Sequence, residues 1–171
     1  MKKLIALLFV LMMAIPLHGW SSRGRYASRI TPDGTIFFIN PQTLGALTNL
    51  RRFEYDMTLP SWTDSVTINF TIESSLMNAP ENLQIASGDK VYKCKDYAVL
   101  YTDIKRQRYV IRVTSKFSVQ QLLEIIEAGS PPRFIFTQND IQEKATYTNS
   151  AWKKERKKLL DIFQLYVYSK K

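Results

Sequence analysis

The sequence is poor in the two residues on which thiol, metal and triad chemistry most often depends. Among 171 residues there is one cysteine, Cys94, and one histidine, His18. A single cysteine excludes a disulfide bond within the chain, a thiolate zinc cluster and Cys-x-x-Cys redox chemistry. We expect Cys94 to be buried and unpaired, because free cysteine behaves as a small apolar residue; pairing with another chain is the alternative.

The sequence also lacks an apolar run long enough to cross a membrane. Its longest run, Leu4–Leu17, follows Lys2 and Lys3 and precedes small residues. Its fourteen residues would rise about 21 Å as a helix, whereas a bilayer core is about 30 Å thick. The pattern is typical of a secretory signal peptide, with a membrane anchor as the alternative. We therefore expect residues 1–20 to be removed near Gly19–Ser21, leaving an exported, periplasmic or secreted protein, and the short lysine-led signal indicates a bacterial source.

Loss of the signal peptide would remove His18 and leave no imidazole in the mature chain. That excludes Ser-His-Asp and Cys-His catalysis and histidine metal sites. The sequence has no Gly-x-Gly-x-x-Gly motif, no P-loop and no aspartate-rich calcium loop. Glu54 and Asp56 share one face of a predicted strand, but that is its solvent face, so we interpret them as solvated carboxylates rather than an acid–base pair. We expect no catalytic residue, metal or cofactor.

Basic residues outnumber acidic ones, and the excess is concentrated at the C-terminus. The net charge is +9, and it becomes +7 when Lys2 and Lys3 are removed. Residues 150–171 contain seven basic and two acidic side chains and so carry +5 of that charge. Because the remainder is close to neutral and export is expected, the composition does not favour nucleic-acid binding.

Alternation of polar and apolar residues predicts a mainly antiparallel sheet. In Arg52–Leu59 and again in Ser65–Glu73, every second residue is apolar, which is the period of a half-buried strand. Turn sequences at 31–34 and at Gly88–Asp89 separate further strands. About seven strands are expected, after a polar lead at residues 21–30.

Two helices are predicted towards the C-terminus. The first, at 118–128, has a capping box formed by Ser118 and Gln121. The second, at 150–167, has Ser150 as its expected N-cap and aligns large side chains along one stripe. The stripe consists of Trp152, Leu159, Phe163 and Tyr166, with Arg156 expected in the gap after Trp152 and with Leu160 and Ile162 widening it.

A short additional helix is expected at 41–50, where leucines recur at helical spacing. A run of strands followed by helices favours one α+β domain, residues 31–171, with the sheet packed by the helices at 118–128 and 150–167. A β-sandwich with helical decoration is the alternative.

Basic side chains form two candidate binding surfaces. One group alternates along the strand predicted at 106–117 and extends into the preceding loop. The other lies near the start of the C-terminal helix, mostly off its apolar stripe. The candidate residues are Lys105, Arg106, Arg108, Arg112, Lys116, Lys153, Lys154, Lys157 and Lys158. Either group would suit an acidic protein, a glycan or an anionic surface; the alternative is that both are ordinary solvated faces.

These observations favour a soluble, non-enzymatic binding or interaction domain of the cell envelope or extracellular space, with no nucleic-acid partner and no transmembrane segment after signal cleavage. Two alternatives stay open: an inhibitor of another envelope protein, and a carboxylate-dependent hydrolase or lyase acting on a glycan. The latter needs two carboxyl groups roughly 5–10 Å apart in a cleft. We expect the C-terminal helix to dock on the domain, because its apolar half lies beyond Leu159; a helix lying on a membrane is the alternative.

Overall fold

The computed structural model describes residues 26–46 and 50–170, so the predicted signal peptide and residues 21–25 lie outside the described part. The described residues form ten strands and two helices. The strands are β1 Tyr26–Thr31, β2 Gly34–Ala46, β3 Arg52–Pro60, β4 Ser65–Ser74, β5 Glu81–Ser87, β6 Lys90–Lys93, β7 Lys95–Lys105, β8 Arg108–Ser118, β9 Arg133–Gln138 and β10 Ile141–Thr146. The helices are α1 Val119–Glu127 and α2 Asn149–Ser169.

The strands form one antiparallel sheet that curls almost into a barrel. Its order is β6-β5-β9-β10-β2-β3-β4-β8-β7, and β1 pairs with β2. Strand β6 continues into β7 through Cys94 alone, and the Cys94 N–H donates to the Leu83 carbonyl at 3.1 Å. The two ends of the sheet therefore meet near Cys94. The prediction of one domain with a mainly antiparallel sheet and two helices is confirmed, but the prediction of about seven strands is wrong, since the described residues contain ten.

The strands that were not predicted lie in segments where polar residues obscure the alternation of polar and apolar residues. The short helix predicted at 41–50 is absent from the described part of that range, where β2 continues to Ala46 and pairs Leu44 with Phe53. Pro41 falls in a register shift between Ile39 and Gln42. A bulge lets a strand continue past a proline that cannot donate a ladder hydrogen bond. β1 and β10 were not predicted because they are rich in polar residues and show no clear alternation of polar and apolar side chains.

The predicted strands at 52–59 and 65–73 are confirmed as β3 and β4, and their apolar residues all point into the core. The buried side chains are Phe53, Tyr55, Met57, Leu59, Val66, Ile68, Phe70 and Ile72. Three of these rings surround Phe134 of β9 at centroid distances of 5.4 to 5.8 Å; they are Phe53, Tyr55 and Phe70. Alternation therefore identified the inner face of the sheet correctly.

The capping box of α1 is confirmed by two reciprocal hydrogen bonds. The Gln121 N–H donates to Ser118 Oγ at 3.1 Å, and the Ser118 N–H donates to Gln121 Oε1 at 3.0 Å. The predicted cap of the second helix is wrong by two residues. The N-cap of α2 is Thr148, whose Oγ1 accepts the Ala151 N–H at 3.3 Å, and Ser150 lies in the first turn.

Helix α2 docks on the domain along the predicted stripe, since Trp152, Leu159, Phe163 and Tyr166 are all buried. Two ring groups anchor its ends: Trp152 Nε1 donates to the Gly129 carbonyl at 3.0 Å and the Tyr166 hydroxyl donates to the Thr63 carbonyl at 2.6 Å. Burying a large apolar side chain contributes about 1.5–3 kcal/mol. Packing on the sheet and α1 thus holds α2 in place despite the basic residues in its first turns. In the described ranges, neither helix combines the length and the apolar character needed to cross a bilayer.

Candidate binding surface

The basic stripe of β8 lies on the outer face of the sheet, and part of it is engaged within the molecule. Ile111 and Val113 are buried, so the residues that alternate with them face outward. The Arg112 guanidinium donates to Asp56 Oδ2 and to Thr71 Oγ1, each at 2.7 Å. Arg112 therefore ties β8 to β3 and β4, and its charge is balanced by the Asp56 carboxylate.

Lys116 is also paired, with its Nζ 3.4 Å from Asp96 Oδ2. The other three basic residues of the predicted strand surface are Lys105, Arg106 and Arg108, which cluster at the turn between β7 and β8. None of these three forms an ion pair with another residue of the described ranges. The unbalanced positive charge of this surface is thus confined to the tip of the β7–β8 hairpin.

The two central residues of the turn at this tip are of types that disfavour the backbone conformation they adopt. Arg106 and Gln107 have φ values of 50° and 63°, and they are the two central residues of a type I′ turn between the paired Lys105 and Arg108. Only glycine, asparagine and aspartate occupy such positions readily.

A second two-residue hairpin turn in the same chain has residue types that adopt left-handed backbone readily. Between β9 and β10, Asn139 and Asp140 have φ values of 50° and 63°. The same backbone shape is therefore built from residues that suit it at one turn and from arginine and glutamine at the other. Left-handed backbone at residues that disfavour it is often found where a side chain serves a purpose other than stability.

Strand β7 is exposed along its whole length. All eleven of its residues are solvent-exposed, although several are large and apolar. The exposed fractions are 45% for Val99, 52% for Leu100, 47% for Tyr101 and 67% for Ile104. Residues 97–102 contain no charge, proline or glycine. In the described part of the chain, β7 has β8 on one side and no strand paired to its other side.

Pairing with β8 divides the side chains of β7 between two faces. Val99 lies opposite the inward-facing Val113, and Thr102 lies opposite Ile111. Lys105 lies opposite Arg108, on the outer face. The hairpin therefore offers apolar side chains on the inner face and positive charge on the outer face of its tip.

A cavity of about 550 Å³ adjoins the start of β7, at the seam where the sheet fails to close. Its lining includes Glu81, Lys93, Cys94 and Tyr97. The pairing is irregular on both walls, between Glu81 and Gln84 in β5 and at the start of β7. Such irregularities re-aim side chains and end strand pairing, which explains why the barrel stays open here.

The Cys94 thiol and the Tyr97 hydroxyl, which both line this cavity, are held in their neutral forms. Burial raises the pKa of the Cys94 thiol to about 12, against a smaller lowering by the hydrogen bond with Ser115. Burial, followed by the charge of Glu81, raises the pKa of Tyr97 to about 12. The Tyr97 hydroxyl donates to the Pro80 carbonyl at 2.5 Å. Cys94 is partly buried, whereas from the sequence we expected it to be buried.

The carboxylates singled out from the sequence are engaged on the outer face of the sheet. Glu54 Oε1 accepts from Arg52 at 2.5 Å and from Thr43 at 2.7 Å. Asp56 accepts from Asn69 as well as from Arg112. These hydrogen bonds give both carboxylates a structural role, in keeping with their interpretation as outer-face residues.

Sequence reasoning missed two buried acidic residues. Glu143 of β10 is 0% exposed and Glu155 of α2 is 1% exposed, and both have polar or electrostatic partners. Glu143 lies in a strand that was not predicted. Glu155 follows Trp152 by three residues and precedes Leu159 by four, and this spacing was the available signal. Glu155, and not Arg156 as expected, is therefore the buried residue in the gap of the stripe.

The basic residues of α2 form a separate surface. Lys153, Lys154 and Lys157 are exposed and Lys158 is half-buried. Helix α2 covers the inner face of the sheet, where its Trp152 packs near core residues of β3 and β9. The outer side of α2 and the outer face of β8 therefore point in different directions, and the structure does not bring the two predicted basic groups together.

Within residues 26–46 and 50–170, no group of three or more histidine, cysteine, aspartate or glutamate side chains is arranged to hold a metal ion. The chain was compared with protein-family models, with curated proteins and with solved structures, and no match was found in any of the three.

Proposed function

We propose that this chain is an exported, non-enzymatic binding domain whose binding element is the β7–β8 hairpin and whose partner is acidic. The observation that carries the proposal is the exposure of β7. An edge strand this long is normally shortened, interrupted by proline, covered or given inward-pointing charge, because it invites association. β7 has pairing irregularities before Tyr101, but it keeps eleven exposed residues, an uncharged stretch at 97–102 and a regularly paired run at Tyr101–Lys105, which supports a surface kept open for a partner.

The charge at the tip supports an acidic partner. Lys105, Arg106 and Arg108 lie within four residues of each other and have no acidic partner in the described part. Arg112, only four residues further along β8, is by contrast neutralised by Asp56. Positive charge left unbalanced beside exposed apolar side chains increases the association rate and selectivity for an acidic surface. Export rests on the signal-like pattern of residues 1–20.

Fluorescence anisotropy with labelled poly-L-glutamate tests the proposal. The protein should bind this probe, and the double variant Lys105→Glu/Arg106→Glu should bind it at least about tenfold more weakly, a difference of about 1.4 kcal/mol. The matched control reverses two exposed charges elsewhere, Lys153→Glu/Lys154→Glu, and should retain most of the affinity. Both variants have the same net charge, so long-range attraction is equal in the two.

The result that contradicts the proposal is an equal loss in both variants, or no binding of poly-L-glutamate by the unaltered protein at low salt and at about 0.15 M salt. A loss confined to the Lys153/Lys154 variant would move the binding surface to α2. A control measurement of thermal unfolding ensures that each variant is folded.

A further inference from the structure

We infer that the partner of this hairpin is an extended polypeptide segment that adds to the sheet as a further strand beside β7, with acidic side chains on one face and apolar side chains on the other. This inference rests on the proposed function and specifies its partner and its mode of binding. The free edge of β7 is the element that receives the segment. Added strands gain affinity from main-chain hydrogen bonds and specificity from alternate side chains.

The hairpin turn determines which backbone groups of β7 face its free edge. In a two-residue hairpin the residues that flank the turn, here Lys105 and Arg108, form a hydrogen-bonded pair. The hydrogen-bonded pairs then alternate along the strand, so Ile104 and Thr102 direct their N–H and C=O groups away from β8. The Ile104 N–H agrees with this assignment, because it donates to the side-chain Oδ1 of Asp103 at 2.7 Å.

The regular part of β7 lies next to the turn. Pairing with β8 is shifted between Lys95 and Ala98 and between Val99 and Tyr101. From Tyr101 to Lys105, by contrast, every residue is paired in unbroken register with Arg108 to Arg112. A segment that pairs with β7 therefore has a regular template of five residues, Tyr101–Lys105, beside the basic tip.

The side chains of this template specify the chemistry of the added strand. Residues directly opposite in neighbouring strands share one face of the sheet and contact each other. An added strand would place one set of alternate side chains beside Thr102 and the exposed Ile104, which favours apolar residues. It would place the other set on the outer face, which carries Asp103 and, next to the turn, Lys105 and Arg108. The net positive charge at the turn end of this face favours glutamate or aspartate there.

A second copy of this chain fits the edge less well than an acidic segment. Residues 90–108 contain six basic and two acidic side chains, so two hairpins side by side would repel each other. An antiparallel pair of β7 strands centred on Leu100 would set Lys95 of one copy opposite Lys105 of the other, and like charges directly opposite are destabilising. In the free protein the Asp103 carboxylate also accepts the hydrogen bond of the Ile104 N–H. This N–H can pair with an added strand only after a partner carbonyl displaces the carboxylate.

The probe for this inference is a synthetic eleven-residue peptide, as long as β7, in which valine and glutamate alternate. Two further peptides carry N-methyl groups on the amides of all the valines or of all the glutamates. Only one edge of an added strand forms backbone hydrogen bonds with β7. Because the N–H groups of successive residues point to opposite edges, only every second amide of the peptide takes part. We expect one methylated peptide to lose at least about tenfold in affinity and the other to bind nearly as the parent does.

Amide hydrogen exchange locates the added strand. Saturating parent peptide should slow exchange at Thr102 and Ile104 by about tenfold or more, while amides of α2 are unchanged. The variant Asp103→Ala, which frees the Ile104 N–H and removes a negative charge, should bind the parent peptide more tightly; Asp89→Ala removes an equal charge from the β5–β6 turn and is its control.

Each outcome decides between the two proposals. If the parent peptide binds but neither methylated peptide is weakened, or if exchange at Thr102 and Ile104 does not slow, the inference is wrong. If poly-L-glutamate binds through the tip but the parent peptide does not bind, the inference fails while the proposed function stands. If neither probe binds, both fail. Dimerisation with protection of the same amides in the absence of peptide would make a second copy the occupant and would also overturn the inference.

Discussion

Replacing the strained turn between β7 and β8 should raise stability while it lowers binding. In the variant Arg106→Asn/Gln107→Gly, residues that adopt left-handed backbone readily take the positions with φ of 50° and 63°. A left-handed conformation costs an ordinary residue about 1–2 kcal/mol, much less for asparagine and essentially nothing for glycine. We expect the free energy of unfolding to rise by about 1–2 kcal/mol after allowance for the entropy that glycine adds to the unfolded chain.

Urea denaturation and calorimetry measure this gain. For a domain of this size, each kcal/mol raises the melting temperature by roughly 2–4 °C. The same variant removes the Arg106 guanidinium, so its affinity for poly-L-glutamate should fall. Stability and binding thus change in opposite directions, which is expected if the turn sequence serves recognition.

The turn between β9 and β10 provides the matched control. Asn139→Arg/Asp140→Gln places the disfavoured pair on the same backbone shape, with φ again 50° and 63°. This variant should lose about 1–2 kcal/mol. If the Arg106/Gln107 variant were no more stable than the unaltered protein while the control was destabilised, the strain argument for the tip would be refuted.

Three further predictions concern single side chains. Arg112→Met leaves the part-buried Asp56 carboxylate without its guanidinium partner, so the free energy of unfolding in urea should fall by about 1–3 kcal/mol. Arg108→Met should change it by less than about 0.5 kcal/mol. Equal effects of the two substitutions would contradict the assigned roles. Ser118→Ala removes the cap of α1 and should cost about 1 kcal/mol in the same assay, and an unchanged midpoint would argue against the capping box. Because burial raises the pKa of Cys94 to about 12, alkylation by iodoacetamide near pH 8 should be at least about tenfold slower in the folded protein than in urea; similar rates would mean that the thiol is exposed.

Features that depend on neighbours along the chain could be predicted from the sequence. The period of two in β3 and β4 identified every inward-facing apolar residue of both strands, because alternation follows from the pleat itself. The capping box of α1 was predictable because its reciprocal hydrogen bonds join two residues only three apart in sequence. The apolar stripe of α2 was predictable because helical geometry brings residues three and four apart onto one face. The cap of α2 was misplaced because Thr148 and Ser150 are both of a type that caps helices, so the residue type alone does not choose between them.

Features that depend on distant partners were decided by the tertiary structure. Leu44 recurs at helical spacing with its neighbours, yet pairing with Phe53 makes that segment a strand. Arg108 and Arg112 are the same residue type on the same face of β8, but only Arg112 has a carboxylate within reach, supplied by Asp56 from a strand more than fifty residues away.

β7 shows most clearly which features the sequence determines and which depend on the tertiary structure. Its apolar residues predicted a strand, and the unbroken run at 97–102 resembles a strand buried on both faces. The sequence alone determined that a strand would form there, since those residue types favour extended backbone locally. That it lies at the edge of the sheet depends on where the barrel seam falls, and the seam is set by the direct passage of β6 into β7 at Cys94 and by the irregular pairing on either side.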